Sequence, residues 1–407
     1  MTTGIFNTSG FTTDFAKKSF AGMLTRLMPN GNAPLFVLSS MLPTEQAVQV
    51  EHGFFTKTML FPEVQLNGAI ADGTTQVFIV DTTANILPNM LMRVQSTGEN
   101  ILVRTILSST TMQVQRGVGT VAAAAIADDV KIYQIGTAFE ESSVRPNALQ
   151  INPVRITNLT QIFRNTWAIS GSAQATEVIA GETNVQENRQ DCAAFHAADI
   201  EKNLFFGQKS SSTLNGQPFR TMDGLLNIVN TLANYPSSYA AVNVTALGST
   251  TTYTQLENAL DPVFNQTTDP KGGNERVLFV GGTARKVINH IGRKSGQYQI
   301  VDGQTAFGLQ FGSFKIARGT FRMIEHPLFN TNADWSKYGV AVDMATFRVA
   351  YLGGRKTQKK DFNMDGSTAV DNGIDAVGGT LTTELTTVVK NPPANAWLTN
   401  FTAGAAD

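Results

Sequence analysis

The sequence contains few charged residues for its length. Of 407 residues, 15% are Asp, Glu, Lys or Arg, against about 25% in an ordinary soluble domain. Neutral side chains must therefore cover much of the surface, and a monomer with such a surface is poorly protected against association. The low charge favours a subunit that buries its surface against other subunits.

There is no surplus of positive charge either. The 31 Lys and Arg residues are balanced by 32 Asp and Glu residues, which leaves a net charge of −1. A dedicated nucleic-acid binder would carry a basic stripe, and the single basic cluster, residues 355–360, is interpreted as a solvated loop. The charge balance argues against specific nucleic-acid recognition.

Cysteine is almost absent, since Cys192 is the only one. A disulfide framework is thus excluded, and a small buried role is expected for this thiol. The N-terminal residues lack the basic and apolar segments of a signal peptide. No apolar run approaches the roughly 20 residues of a membrane span. We expect a chain made in a reducing cytoplasm, with no membrane partner.

Catalytic and metal-binding patterns are also missing. The four histidines match no metal-ligand spacing, no G-x-S-x-G elbow occurs, and structural roles are expected for the histidines. We therefore expect no enzymatic activity, no catalytic residues and no cofactor. The histidines are His52, His196, His290 and His326.

One weak metal candidate remains. Asp361, Asn363 and Asp365, followed by Gly366, reproduce the start of a calcium loop, with oxygen ligands at alternate positions. Asn372 stands where the bidentate Glu would be expected. A plain polar loop is the preferred interpretation.

The most informative segment is residues 146–171. It is rich in Ile, Thr, Val, Phe and Trp, which favour extended backbone, and it contains no Asn-Gly or Asp-Gly turn. An unbroken ribbon of this length would span roughly 85 Å at the usual rise per residue. A compact chain of this size is only about 55 Å across. We therefore expect the partner surface of this ribbon to include another molecule.

A single long helix is predicted over residues 184–206. Thr183 and Gln186 have the spacing of a capping box, Glu187 places negative charge in the first turn, and Gly207 marks the end. The helix would be on the order of 30 Å long, and no other predicted helix matches its length. It is interpreted as a spine rather than as a member of a bundle.

A β-rich insert is predicted over residues 66–137. Five short segments of strand-forming residues alternate with Gly-rich or polar turns, which is typical of a small barrel or sandwich. The limbs on either side of the insert, residues 46–61 and 154–170, are expected to pair with each other.

The residues after the spine predict a mixed α+β unit. Residues 210–224 are interpreted as a flexible turn, and helices are expected at 223–233, 254–266 and 284–291, the last capped by Thr283 and ended by Gly292. Strands from residue 276 to residue 352 are expected to form one sheet. The strand 380–389 and the tail 396–401 are expected to return to the spine helix.

The order of these parts resembles that of tailed-phage major capsid proteins of the Hong Kong 97-like type, especially the family with elongated-head members. No single matching segment is a short signature, so the resemblance rests on order and spacing. The matching segments are residues 19–40, 51–63, 158–173, 185–206, 277–292 and 379–401.

The resemblance implies a division of the chain into five parts. These are an N-terminal arm (1–45), an extended loop (46–65 and 138–172) that carries the β insert (66–137), a peripheral domain (173–218 and 376–407) with the spine helix 184–206, and an axial domain (219–375).

The resemblance also implies a function by assembly. The chain would form hexamers and pentamers of an icosahedral or prolate shell that encloses double-stranded DNA and contacts it only non-specifically. Portal, scaffolding and decoration or cement proteins would be its other partners. Four aromatic residues of the extended loop are expected to be exposed on one subunit and buried by its neighbours: Phe55, Phe61, Phe163 and Trp167.

Two other functions stay open from the sequence. A tail-tube or fibre protein would also be rich in Thr and Asn, but it should lack the long isolated helix. A secreted carbohydrate-active protein would need paired carboxylates in a cleft, and the adjacent Glu140 and Glu141 would point to opposite sides of a strand.

Overall fold

The computed structural model describes residues 33–57, 62–150, 152–176, 184–230, 243–248, 250–265, 273–295, 304–306, 309–362 and 375–402. The chain divides into two compact units, Phe55–Arg155 and the combination of Met1–Phe54 with Ile156–Asp407. Helices and strands occur in both sequence halves, so the expected α+β class is confirmed. Among the described residues, no helix is both long and apolar enough to cross a membrane.

The described helices are few, and one is much longer than the others. That helix, α3, has 23 residues and matches the predicted range. It ends immediately before Gly207, as predicted. The α-helices are α1 (Pro34–Met41), α2 (Gly171–Ala175), α3 (Asn184–Phe206), α4 (Leu225–Asn230), α5 (Tyr253–Leu260) and α6 (Gly282–Ser295).

Unit Phe55–Arg155 contains a six-stranded antiparallel sheet in the order β3-β8-β5-β6-β7-β4. Backbone hydrogen bonds from Asn67 to Ile79 and from Asp81 to Gln65 join its two edges and close it into a barrel. Closure removes the exposed strand edges of an open sheet. The strands are β3 (Glu63–Gln65), β4 (Val77–Ile79), β5 (Met90–Val94), β6 (Asn100–Ser108), β7 (Thr111–Gln115) and β8 (Lys131–Thr137).

All five strands predicted for the insert are present, and β3 adds a sixth from before residue 66. The barrel interior is packed with apolar side chains, and Glu99 and Arg116 form a buried pair with Nη2 and Oε2 separated by 2.6 Å. The backbone N–H of Gly117 also donates to Glu99, at 2.9 Å. The carboxylate is thus fully paired, as a buried charge requires.

The other unit contains a seven-stranded mixed sheet in the order β13-β22-β18-β14-β17-β16-β15. Side chains alternate between its faces: Phe279 contacts one apolar cluster together with α3, and Leu278 contacts another together with α5 and α6. The strands are β13 (Val244–Ala246), β14 (Glu275–Val280), β15 (Gln304–Ala306), β16 (Leu309–Lys315), β17 (Thr320–Glu325), β18 (Gly339–Val342) and β22 (Ala396–Thr399).

A second sheet in this unit is built on one long strand, β21. One edge of β21 pairs with β10 and the other with β19 and β20, and β1 extends the sheet beside β19. The two-stranded pairs β2–β9 and β11–β12 complete the list. The strands are β1 (Glu45–Ala47), β2 (Glu51–Thr56), β9 (Val154–Leu159), β10 (Gln161–Ser170), β11 (Ser210–Leu214), β12 (Gln217–Thr221), β19 (Phe347–Leu352), β20 (Gln358–Phe362) and β21 (Ala376–Val389).

The ribbon over residues 146–171 differs from its prediction. It is broken at Thr160 into β9, which pairs with β2 as expected, and β10, which pairs with β21. Ten consecutive residue pairs join β10 to β21, from Gln161–Leu385 to Ser170–Ala376. The strand that pairs with this half of the ribbon, β21, therefore lies on the same chain. It is long enough to pair with all of β10.

Two further predictions in this unit are wrong. Helix α6 begins at Gly282 and continues to Ser295, so Thr283 is not its cap and Gly292 does not end it. Strand β19 lies in the sheet of β21, not with β14 to β18. Strand β22 joins the seven-stranded sheet, and its Trp397 packs against Phe205 of α3, so the expected return of the tail to the spine helix is confirmed. The helix predicted over 254–266 is present as α5, which ends at Leu260, where the 3₁₀ turn Asp261–Phe264, which contains Pro262, follows it.

The segment expected to be a flexible turn is a β-hairpin, β11–β12. Asn215 and Gly216 occupy its two-residue turn with φ of 50° and 73°. These positive values identify the left-handed turn that Asn-Gly favours. Asn-Gly is thus a correct hairpin signal in this sequence, although the serines before it are not among the residues enriched in strands.

Candidate functional site

The spine helix α3 packs against the sheet formed by β10, β21 and β20. Side chains on β10 alternate between the helix and the opposite face, and Phe163 and Trp167 point to the helix side, each only 5% exposed. The expectation that these two aromatics are exposed on a single subunit is therefore wrong. Helix α3 supplies the apolar surface that a neighbouring subunit was expected to supply.

Trp167 fits this site because β21 has two glycines opposite it. Trp167 pairs with Gly379 and Ala168 pairs with Gly378. A Cβ on Gly379 would lie 2.8 Å from Trp167 Nε1, and a Cβ on Gly378 would lie 2.3 Å from Phe362 Cζ. Real Cβ atoms do not approach other atoms this closely, so bulkier residues at either position would displace the aromatic side chains.

A charged cluster lies at the same end of the helix. Asp361 Oδ2 is 3.5 Å from Arg189 Nη2 and 2.8 Å from Lys359 Nζ. The Arg189 guanidinium also lies over the ring of Trp167, at 5.6 Å from its centroid. Arg189 thus links the spine helix to β20 by charge and to β10 by a cation–π contact.

A buried histidine links the middle of the helix to both strands. His196 Nδ1 lies 2.7 Å from Asn165 Oδ1 on β10, and its Nε2 lies 2.8 Å from Thr383 Oγ1 on β21. Burial lowers the pKa of His196, although the charge of Asp199 opposes this shift. The ring is thus a neutral structural group, as expected for this residue.

The last turns of α3 bind α1, the helix that precedes β1, through hydrogen bonds. The backbone N–H groups of Leu35 and Phe36, in the first turn of α1, donate to the two carboxylate oxygens of Glu201, each at 2.8 Å. His326 Nε2 lies 2.8 Å from the same carboxylate. Glu201 is fully buried, and its negative charge complements the positive end of the α1 dipole.

An aromatic cluster surrounds this anchor. The ring of Phe205 is 5.0 Å from the ring of His326, 5.1 Å from that of Phe329 and 6.1 Å from that of Trp397. The spine helix therefore ends inside the core of the seven-stranded sheet. One helix joins both sheets and the start of the described chain, which makes it the organising element of this unit.

Comparison with known proteins identifies the family. A family model described as SU10 major capsid protein matches residues 7–402. The major capsid protein of Pseudomonas phage PaMx41 is 35% identical over 409 residues, covering 98% of this chain and 96% of that one. The chain belongs to the SU10 major capsid protein family.

Solved structures similar to the chain include phage proteins of nearly equal length. A chain from Mycobacterium phage Bobi covers 95% of this chain and 96% of its own length, with 9% identity and a TM-score of 0.48. A chain from the capsid of the native GTA particle covers 97% and 98%, with 10% identity and a TM-score of 0.45.

Family membership settles the class of function. The protein is a major capsid protein of a phage, hence a component of the virion, and a structural protein rather than an enzyme. Capsid proteins assemble with copies of themselves into shells. The functional site of this chain is therefore the surface that it turns toward other copies. Helix α3 and the sheets packed around it support that surface.

Of the other two aromatic candidates of this capsid protein, one lies within the described residues. Phe55, on β2, is 70% exposed, which is the exposure expected of an interface residue. Phe61 lies outside the described residues. Among the four candidates, Phe55 is the one whose described environment suits a contact with a neighbour.

The weak calcium candidate gains no support from the geometry. Asn363 and Asp365 lie outside the described residues, and Asp361 is paired with Arg189 and Lys359. Two cationic side chains on one carboxylate compete with a metal ion for it. Within the described part of the chain, no three His, Cys, Asp or Glu side chains are grouped as metal ligands.

Sequence reasoning missed the Glu201–His326 anchor altogether. The two residues are 125 positions apart, and neither lies in a recognisable motif. A signal did exist: Glu201 falls on the apolar side of the predicted helix, between Ile200 and Leu204, where a carboxylate requires a partner.

Proposed function

We propose that the chain forms the hexamers and pentamers of a phage head, with the N-terminal arm and the extended loop lying across neighbouring subunits. The observation that carries this proposal is the family match over residues 7–402. The division into arm (1–45), extended loop (46–65 and 138–172), insert (66–137), peripheral domain (173–218 and 376–407) and axial domain (219–375) belongs to the same proposal.

The attachment of α1 to the spine helix supports a role for the N-terminal end of the arm in contacts with a neighbouring subunit. Helix α1 is fixed to the spine by the carboxylate of Glu201, so the chain before residue 33 starts from a rigid point. A segment attached in this way reaches a neighbour from a defined origin. Fixing its base reduces the conformational entropy lost on docking.

The exposed aromatic residue on β2 supports the proposed contact of the extended loop with neighbouring subunits. Phe55 presents most of its ring to solvent, and burial of a Phe side chain contributes about 1.5–3 kcal/mol. Because a shell repeats each contact in every subunit, a modest contribution at Phe55 stabilises the whole particle.

Assembly would take place in the bacterial cytoplasm, with portal, scaffolding and decoration or cement proteins as further partners. The near-neutral net charge of −1 suits a wall that encloses DNA without binding it tightly, because tight binding would need neutralised phosphates. No cofactor is part of this proposal.

Electron microscopy of the overexpressed full chain tests the proposal. Negative staining should show spherical or elongated shells, and sedimentation should show particles far heavier than a subunit. Tubes would indicate a tail component, and dispersed monomers at high concentration would refute self-assembly.

A point variant tests the extended loop separately. Phe55→Ser should reduce the yield of shells while the subunit unfolds at the parent's denaturant concentration. Val121→Ser is the matched control, since Val121 is 41% exposed and lies in an irregular segment of the insert, outside the extended loop. Normal shells from Phe55→Ser would remove Phe55 from the interface.

A further inference from the structure

The hairpin β11–β12 has two chemically different faces. Ser212 pairs with Phe219 and Leu214 pairs with Gln217, so these four side chains lie on one face. The neighbouring pairs, Ser211 with Arg220 and Thr213 with Pro218, lie on the other face because side chains alternate along each strand. One face thus carries the large apolar residues and the other carries the charge.

The charged face is held by the protein's own sheet. Arg220 Nη2 lies 3.8 Å from Oε1 of Glu384 on β21, and Glu384 is only 2% exposed. The same carboxylate accepts a hydrogen bond from Thr160 Oγ1 at 2.9 Å and pairs with Arg355 Nε at 2.9 Å. A buried carboxylate that binds Arg220 fixes which face of the hairpin turns toward its own chain.

The base of the hairpin is fixed as well. Lys209 Nζ donates to the carbonyl and the hydroxyl of Thr157, at 2.9 Å and 3.0 Å. The backbone N–H of Lys209 donates to Asp223 Oδ1 at 2.6 Å, and Thr221 Oγ1 donates to the carbonyl of Gln208 at 2.6 Å. The hairpin is therefore a positioned element and not a loose loop.

The opposite face is uncharged and carries two exposed apolar side chains. Leu214 is 60% exposed and Phe219 is 44% exposed, and their register makes them diagonal neighbours, within reach of each other. Ser210, Ser212, Gln217 and Thr221 surround them. A protein interface has a core that is rich in aromatic residues and poor in charge, with a polar rim around it. This face of the hairpin has the same composition.

The turn of the hairpin preorganises its exposed face. An isolated two-stranded sheet is marginally stable in water, and all five residues of β11 are exposed. The Asn215–Gly216 turn preorganises the pair, which lowers the entropy cost of docking the exposed face.

We propose that the Leu214–Phe219 face of the hairpin docks on a second copy of this chain. The absence of Lys and Arg on this face argues against nucleic acid, which needs neutralised phosphates. In a shell of identical subunits, other copies surround each subunit at high local concentration. This inference rests on the proposed function and adds to it a contact outside the arm and the extended loop.

Thiol footprinting of two adjacent serines tests the proposal. Ser212→Cys places a thiol on the docking face opposite Phe219, and Ser211→Cys places one on the other face of the same strand. The native Cys192 is buried, and burial raises the pKa of its thiol, so its reaction with maleimide should be slow. The parent chain measures that background, and denatured shells measure complete labelling.

The expected result is selective protection. Cysteine at 212 should react at least about tenfold more slowly in shells than in free subunits, and cysteine at 211 should react at similar rates in both. Equal labelling of position 212 in both states would overturn the docking proposal while leaving shell formation intact. Protection already present in free subunits would show that the chain covers this face itself, and would also overturn it.

Assembly yield gives an independent measurement. Leu214→Ser combined with Phe219→Ser should lower the fraction of protein in shells about tenfold, whereas Thr213→Ser, on the opposite face, should keep the parent yield. Circular dichroism and thermal melting of the free subunits establish whether each variant is folded. Parent-level shell yield from the folded double variant would refute the contact. Absence of shells from the parent itself would refute the proposed function and this contact together.

Discussion

Glu201 on the spine helix and His326 after β17 form a buried pair, with Oε1 and Nε2 2.8 Å apart and both side chains at most 1% exposed. The same carboxylate binds the first turn of α1. A single residue of the spine helix therefore joins the base of the arm to the end of the seven-stranded sheet. This arrangement makes the base of the arm sensitive to changes far from it in sequence.

Glu201→Gln should release the base of the arm. The amide keeps the shape but loses the charge-assisted hydrogen bonds, which contribute about 1.5–3 kcal/mol each. We expect a loss of about 2 kcal/mol in the free energy of unfolding, measured by denaturant titration. Amide hydrogen exchange at Leu35 and Phe36 should accelerate.

The neighbouring exposed Lys202 supplies the control for that experiment. Lys202→Gln should stay within about 0.5 kcal/mol of the parent, as surface substitutions usually do. Unchanged exchange at Leu35 and Phe36 in Glu201→Gln would show that the carboxylate does not hold α1.

Trp167→Ala should destabilise the subunit itself. The side chain is buried between β21 and Arg189, and truncation of a buried Trp costs about 3–5 kcal/mol. Ile162→Ala is the matched control, because Ile162 is 49% exposed on the opposite face of the same strand. A Trp167→Ala subunit with parent stability and defective shells would restore the direct interface role rejected above.

Gly378→Ala tests the close packing over β21. Its Cβ would lie 2.5 Å from the carbonyl oxygen of Trp167, and backbone cannot move as a flexible side chain can. Overpacking of this kind costs about 1–3 kcal/mol. Gly353→Ala, where the added methyl meets nothing within 4 Å, should leave thermal stability at or slightly above that of the parent, and equal melting temperatures for the two variants would contradict the packing argument.

His196 should make stability depend on pH. Because burial lowers its pKa in the folded state, the unfolded chain binds more protons once the pH falls below about 6.5. The free energy of unfolding should therefore be highest above that value. It should fall with decreasing pH by up to about 1.4 kcal/mol per unit until the folded pKa is passed.

Denaturant titrations of the parent and of His196→Gln at several pH values between 5 and 8 measure this effect. The other ionisable groups are the same in both proteins, so the difference between the two slopes isolates His196. Parallel curves would show that this ring is not the source of the pH dependence.

Local sequence patterns determined the elements that depend on neighbours along the chain. The predicted cap of α3, Thr183, lies outside the described residues. The range of the spine helix α3 follows from Glu187 in its first turn and from Gly207 after its end, and the barrel strands follow from short β-forming segments separated by turns. These signals act over a few residues, through backbone hydrogen bonds and steric preferences, so they are readable without a fold. The low charge content likewise pointed to a subunit that associates.

Only the tertiary structure determined which surfaces of the subunit are buried by other segments of the same chain. Phe163 and Trp167 have the composition of interface residues, but the pairing of β10 with β21, more than two hundred positions away, places them under the spine helix. The partner of Glu201 and the exposed face of the β11–β12 hairpin were hidden for the same reason. Burial depends on contacts between distant segments, and a single sequence carries no local trace of which segments will meet.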